Sequence, residues 1–247
     1  VLSFLKPAVT LKDLIPDNHI DIHSHLLPNI DDGATSIENS LYLISSLQSI
    51  GISQFITTPH TFNGVWDNTM QQIKRVELET TTKLSDMGFA TNMKAASEYL
   101  LDDHFVSLFQ KNEILTLKDT YVLVEMSYIN APVQLYDILF EMQVAGYKPV
   151  LAHPERYNFY HQNFEQYNKL KNAGCLFQLN LLSTVGYYGK SVADTAKKLL
   201  SKGLIDFVGT DVHHQKHIES FDKKVMIKDL QPLKDACSNN QFFKYTD

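Results

Sequence analysis

Short apolar runs alternate with longer segments of helical period along most of this 247-residue chain. The runs are HIDIH (19–23), SQFITTPH (53–60), MKAASEY (93–99), YVLVEMS (121–127), KPVLAH (148–153), CLFQLN (175–180) and IDFVGTD (205–211). Their length and composition predict seven strands. The segments between them predict helices. Residues 36–51 have Ser36 as N-cap and Gly51 as stop, and 67–88 have Asp67 as cap and Gly88 as stop. Residues 131–146 carry Pro132 in the first turn, and 163–174 and 191–203 both end in glycine, which suits a C-cap. Strands that alternate with helices pair in parallel, so the predicted class is α/β. The length fits one domain. Beyond about residue 215 the pattern is less regular, with room for one more helix.

The ends of the predicted strands share a chemistry. His23 and His25 close the first, His60 the second, Glu98 the third, Glu125 the fourth and His153 the fifth; Asp211 and His213 close the seventh. In a parallel barrel those ends share one face, where active sites are built. Each residue has an ordinary alternative. H-x-H can be two core or surface histidines, Asp31 and Asp32 before Gly33 can be a turn, and a lone carboxylate can pair with a base. Jointly, one site with more than one metal ion explains them all, because a single zinc site uses only three or four protein ligands. Mixed imidazole and carboxylate donors suit Zn, Mn or Fe. His19 starts the first run and lies below such a site. His104 and His161 read as surface residues, and His214 and His217 as exposed neighbours of the last motif.

Charge and cysteine content narrow the function. With 22 Lys+Arg against 28 Asp+Glu the net charge is −6, which argues against a nucleic-acid surface. Only two arginines occur, Arg75 and Arg156. The two cysteines predict a buried thiol at Cys175 and a free one near the tail at Cys237. This usage fits a cytoplasmic compartment. Cysteine-dependent phosphatase chemistry needs C-x5-R, but Leu181 and Phe243 stand six residues after the cysteines. No phosphate-cradling G-x-x-x-x-G-K-[ST] loop occurs. No apolar run approaches the about 18 residues of a membrane span, so no membrane insertion is predicted. The opening VLSFLKPAVT is too short and mixed for a signal peptide.

DIHSHLLPNIDDGA, TTPH, SEY, LVEMS, LAHPERY and GTDVH together resemble the polymerase-and-histidinol-phosphatase (PHP) family. The closer resemblance is to its bacterial protein-tyrosine phosphatase branch of the capsular-polysaccharide type, and QLNLLSTVGYYG (178–189) shares it. The resemblance implies a distorted TIM-like (β/α)7 barrel carrying three metal ions at its C-terminal mouth. The barrel motifs would span 19–213, after an N-terminal extension (1–18) and before a C-terminal segment (214–247). The implied ligands are His23, His25, Asp32, His60, Glu98, Glu125, His153, Asp211 and His213; the resemblance selects Asp32 over Asp31. It implies hydrolysis of phosphotyrosine by a metal-held hydroxide, with Arg156 clamping the phosphate and Asp211 and His213 in the catalytic set. The implied partner is a membrane-associated bacterial tyrosine autokinase that controls exopolysaccharide synthesis, and oligomerisation stays open. That branch often carries a second arginine after the last motif. Here the region reads HQKHIESFDKK, which offers Lys216 or His217 instead. Trp66, Tyr187 and Tyr188 either line the entrance for a tyrosine ring or serve in packing. The alternatives are a small-molecule phosphomonoesterase, such as a histidinol-phosphate phosphatase, and a non-catalytic metal-binding module.

Overall fold

The computed structural model describes residues 9–246; the first eight residues of the N-terminal extension lie outside the described residues. β1 (His19–Asp21) is shorter than its apolar run. α1 (Ile37–Ser49) is capped as expected, with the Ser36 hydroxyl accepting from Asn39 N–H. β2 (Ile52–Thr57) and β3 (His60–Thr61) come from one predicted strand. The ladder breaks where Pro59 lacks an N–H and Thr58 N–H turns to Ser24 O at 2.7 Å. α2 (Met70–Asp86) is capped by Thr69, not Asp67. The Asp67 carboxylate instead accepts from Gly64 N–H at 2.7 Å. The next run also splits, into β4 (Met93–Ala95) and β5 (Glu98–Leu100). Between them Ala96 N–H bonds Thr57 O and the Ser97 hydroxyl bonds Pro59 O.

α3 (Asp103–Gln110) forms around His104, where the sequence left helix and loop both open; Asp102 caps it. β6 (Tyr121–Glu125), α4 (Leu135–Val144), β7 (Lys148–Ala152), α5 (Glu165–Asn172), β8 (Leu176–Asn180), α6 (Lys190–Ser201) and β9 (Phe207–Gly209) follow in alternation. After β9 come α7 (Gln215–Glu219) and α8 (Gln231–Asn239), two helices where one was expected.

Every pairing between these strands is parallel, in the orders β1-β2-β4 and β3-β5-β6-β7-β8-β9. The two sheets connect along the chain, because β2 runs into β3 and β4 into β5. They also meet at their far edges, where Ser24 forms a parallel bridge to Val212 and Asp211 N–H bonds His23 O at 2.7 Å. The fold is therefore α/β with a parallel strand system, and all strands point their carboxyl ends the same way.

Strand alternation divides the apolar residues between two cores. Leu123, Val150 and Ala152 face one cluster, while Val122, Val124 and Leu151 face another built with Phe105, Tyr157 and Phe177. Strands buried on both faces read as continuous apolar runs, which is why periodicity alone located them. Each large core side chain contributes about 1.5–3 kcal/mol. Glu125 has the parity of Leu123 and so turns inward at the strand end. Cys237, expected as a free thiol near the tail, is unpaired but buried like Cys175. Burial pushes both thiols up to about 12, which leaves neither as a nucleophile. Among the described residues no helix is long and apolar enough to cross a membrane.

Candidate metal centre

The broken strands and the loops after them bring nine side chains together, with His60 and Glu98 at the starts of β3 and β5 rather than at strand ends. Glu98, at the start of β5, is central and fully buried. Its Oε2 lies 3.1 Å from His23 Nε2, 3.5 Å from His25 Nε2 and 3.2 Å from His60 Nδ1. Its Oε1 lies 3.0 Å from His153 Nε2 at an angle that makes no hydrogen bond. Asp211 Oδ1 is 3.3 Å from His23 Nε2 and 3.4 Å from His25 Nε2. Glu125 Oε1 is 2.9 Å from His60 Nδ1. Asp32 Oδ1 bridges the rim, 3.6 Å from His60 Nε2 and 3.5 Å from His213 Nε2. His153 and Asp211 adopt left-handed backbone at φ 37° and 51°. Such strain, of order 1–3 kcal/mol, persists where neighbours over-determine it. Here Gln178 O holds His153 N–H and His23 O holds Asp211 N–H.

These spacings suit metal ions. Donors bound at about 2.0–2.3 Å to one tetrahedral ion stand roughly 3.3–3.8 Å from each other, close to the separations seen here. Four sets have donor atoms within 4.8 Å of one another: His23–Glu98–His153, His23–His25–Asp211, His60–Glu98–Glu125 and His25–Asp32–His60–His213. The buried Glu98 Oε1, His60 Nδ1 and His153 Nδ1 have no hydrogen-bond partner. The electrostatics agree. Burial disfavours charged imidazole at His23 and His25, yet the surrounding carboxylates outweigh it and raise both. His60 is pushed up to about 9 against burial, mainly by Glu98 and then by Glu125. Burial likewise opposes ionisation of Glu98 and Asp211, but the imidazoles around them hold both well below the usual carboxylate range. A nest of ionised carboxylates that draws protons onto its histidines is one that divalent cations can occupy instead.

An outer layer aims the donors. His25 Nδ1 lies 2.7 Å from Asp31 Oδ2, and His23 Nδ1 lies 2.6 Å from Gln178 Oε1. Both acceptors place the proton on Nδ1 and leave Nε2 to face the cluster. Asp31, whose ordinary reading was a turn residue, also accepts from Gly33 N–H at 2.9 Å and His60 N–H at 3.1 Å. Gly33 has a packing reason as well, because a Cβ there would sit 2.3 Å from His25 O.

A cavity of about 240 Å³ opens over the cluster, lined by Asp32, His60, Tyr128, His153, Arg156, Tyr188, Asp211, His213, His214 and His217. Pockets that enclose whole drug-sized ligands run about 300–1,000 Å³, so this one suits a group at the end of a larger molecule. Arg156 is its single Arg or Lys. The guanidinium bonds Asp211 Oδ2 at 2.8 Å and lies over the rings of Tyr128 and Tyr188, at 4.8 and 4.1 Å. Asn180 Nδ2 donates to the same Asp211 Oδ2 at 2.7 Å and to Tyr188 Oη at 3.0 Å. Asp211 thus turns one oxygen to the arginine and the other to the histidines.

A profile described as capsular polysaccharide synthesis, CpsB/CapC, matches residues 19–222. The chain belongs to the CpsB/CapC family. Tyrosine-protein phosphatase YwqE of Bacillus subtilis (strain 168) is 30% identical to it over 198 residues, 80% of this chain and 78% of the relative. Tyrosine-protein phosphatase CpsB of Streptococcus pneumoniae is 27% identical over 201 residues, covering 79% and 83%. A crystal structure from work on YwqE and CpsB, described as unique metal-dependent tyrosine phosphatases, superposes with a TM-score of 0.76 at 29% identity, covering 82% of this chain and 84% of that one. This is the capsular-polysaccharide branch that the motifs resemble.

Four expectations for this CpsB/CapC chain shift in space. Lys216 is exposed on α7 and does not line the cavity. His217, expected to be exposed, is buried, because its ring packs on Tyr187 at 4.8 Å and on His214 at 4.0 Å. Its Nδ1 accepts from His213 N–H at 3.1 Å, and burial pushes it down to about 3. It is a neutral prop for the last motif and no substitute for a cation. Tyr187 packs behind the wall while Tyr188 lines it. Trp66 is tied into a turn, its N–H bonding Phe62 O at 2.7 Å, and does not reach the cavity. Tyr128 was missed, since nothing local marks its ring as stacking on His153.

Proposed function

We propose that this chain is a metal-dependent protein-tyrosine phosphatase acting in capsular or exopolysaccharide synthesis, with three divalent ions (Mn, Fe or Zn) held by His23, His25, Asp32, His60, Glu98, Glu125, His153, Asp211 and His213. We read the two linked sheets as one distorted (β/α)7 barrel around that centre. The proposed partner is a membrane-associated tyrosine kinase bearing phosphotyrosine. Family membership supports the reaction class. The observation that carries the reading for this chain is the convergence of nine donor side chains beside one preoriented arginine.

Bound ions of this type supply Lewis acidity and lower the pKa of water towards neutrality. The protein's own residues do the rest. Arg156 binds the phosphoryl oxygens through the N–H groups that Asp211 leaves unpaired. Tyr128 and Tyr188 both pack against its guanidinium and Asp211 holds it, so little motion is lost when phosphate arrives. The cavity of about 240 Å³ accommodates a phosphoryl group while leaving the rest of the substrate outside. The leaving group is a phenolate, whose conjugate acid has a pKa of about 10, so it needs less proton assistance than an alkoxide.

Arg156→Ala tests the reading. Losing charge-assisted hydrogen bonds to phosphate should lower kcat/KM on a phosphotyrosyl peptide about 10- to 100-fold, with metal content by elemental analysis unchanged. Loss of metal in that variant would reassign Arg156 to the metal centre. A wild-type preference for histidinol phosphate over the peptide would end the substrate assignment.

A further inference from the structure

The outward side of α4 is apolar where solvent should select polar residues. Its inner face buries Leu135, Ile138, Leu139 and Met142 against the core. Its outer face carries Tyr136, Phe140 and Val144, four residues apart and therefore in one line. Phe140 is 67% exposed and Val144 72%. The loop that leads from Tyr128 into α4 adds two more exposed apolar side chains, Ile129 at 85% and Val133 at 95%. Exposed single apolar residues are ordinary, but a continuous stripe marks an interaction surface.

The stripe starts at the cavity. The Tyr128 ring that lies over Arg156 and stacks on His153 at 5.7 Å is itself half exposed, next to Ile129. A molecule whose phosphoryl group sits beside Arg156 therefore meets the stripe as it leaves the mouth. Asp137 and Glu141 are exposed along the same helix and give the stripe an acidic border. A second copy seated there symmetrically would bring those carboxylates towards their counterparts and close over Tyr128. Charge and position both favour the substrate over a copy of this chain.

We propose that the stripe from Tyr128 to Val144 receives an apolar segment, bordered by basic residues, of the phosphotyrosine-bearing protein. The proposal rests on the phosphatase reading above and adds what that protein must carry beside its phosphotyrosine. α4 is about 15 Å long, within reach of a 15-residue peptide that spans up to about 50 Å when extended.

The test uses two such phosphotyrosyl peptides with equal lysine content, one flanked by leucine and valine and one by serine, plus p-nitrophenyl phosphate. The metal-loaded wild type is compared with a Phe140→Ser, Val144→Ser double variant, both positions being exposed. The variant should lose about tenfold in kcat/KM on the apolar peptide, through KM, and keep its rates on the serine peptide and on p-nitrophenyl phosphate. Anisotropy with labelled phosphonate versions of the peptides reads binding without turnover and should show the same tenfold. Equal affinity of both proteins for the apolar phosphonate would overturn the stripe assignment. So would a wild-type dimer that the variant dissolves with no change in peptide affinity. No hydrolysis of p-nitrophenyl phosphate by the wild type would instead overturn the phosphatase reading, while the anisotropy still judges the stripe.

Discussion

β1 and the turn after it carry buried histidines at two ends, and the two ends behave in opposite ways. At the start of the strand His19 is fully buried with neither ring nitrogen hydrogen-bonded. Burial alone pushes it down to about 4. Four and six residues later His23 and His25 are equally buried, yet both are raised above the ordinary histidine value. The desolvation cost is common to both ends, and what differs is the carboxylates: none acts on His19, while Glu98, Asp211 and Asp31 surround the other two. A buried imidazole is thus a neutral filler or a cation-seeking donor according to its acidic neighbours.

The sharpest way to break this contrast is to remove the carboxylate shared by the cluster. Glu98 touches His23, His25, His60 and His153. Loss of an outer hydrogen-bond partner of a metal ligand typically costs 10–100-fold, and Glu98→Gln should exceed the upper end. Elemental analysis should show fewer ions per chain, and kcat/KM on p-nitrophenyl phosphate should fall by more than about 100-fold. A Glu98→Gln protein with full metal content and full activity would refute the central role given to this residue.

The other end of the strand offers a smaller effect in stability. The folded-state value of His19, about 4, lies below its ordinary 6.5. Between those values the unfolded chain binds the extra proton, so stability falls as the pH falls. The linked loss is about 2 kcal/mol between pH 8 and pH 5. His19→Leu should remove that slope. Urea unfolding at both pH values, with chelator present to separate out metal release, should show the gap between wild type and variant shrinking or reversing in the variant's favour by about that amount. A gap independent of pH would mean that His19 is protonated or solvated in the folded protein.

Much of the contrast was legible in the sequence, because strand ends can be counted. Seven apolar runs put a His, Asp or Glu at nearly every carboxyl end, and parallel pairing made those ends neighbours. His19 was readable as lying below the site from its position at the start of the run. The missing parts depend on which groups win each hydrogen bond and which side chains pack together. The break at Thr58–Pro59 comes with the missing N–H of Pro59 and the bond from Thr58 N–H to Ser24 O, and that at Ala96–Ser97 with bonds to Thr57 O and Pro59 O. Thr69 takes the cap from Asp67 because Gly64 N–H competes for that carboxylate. Lys216 and His217 are adjacent in sequence, yet one faces solvent and the other is enclosed by Tyr187 and His214. Charge type selected Lys216, and packing placed His217 against the site wall.

Asp31 offers the finest test, because its neighbour Asp32 has the same chemistry and a different position. Asp32 faces the cavity and points an oxygen towards His60 and His213. Asp31 is buried behind His25 and reaches the cluster through that ring and through the His60 backbone N–H, with no oxygen facing the cavity. If the carboxylate behind His25 makes it a better donor, Asp31→Asn should weaken metal binding without removing a ligand. With the amide oxygen kept towards Nδ1–H the tautomer survives, while the charge and the hydrogen bond from Gly33 N–H are lost. The expected loss is about tenfold in metal affinity, at the low end for outer partners, read by competition with a chelator. Excess Mn²⁺ should restore most of the activity. Asp32→Asn removes a proposed ligand, so it should lose activity that added metal does not restore. Rescue of both variants by metal, or of neither, would show that the two aspartates do not divide the work in this way.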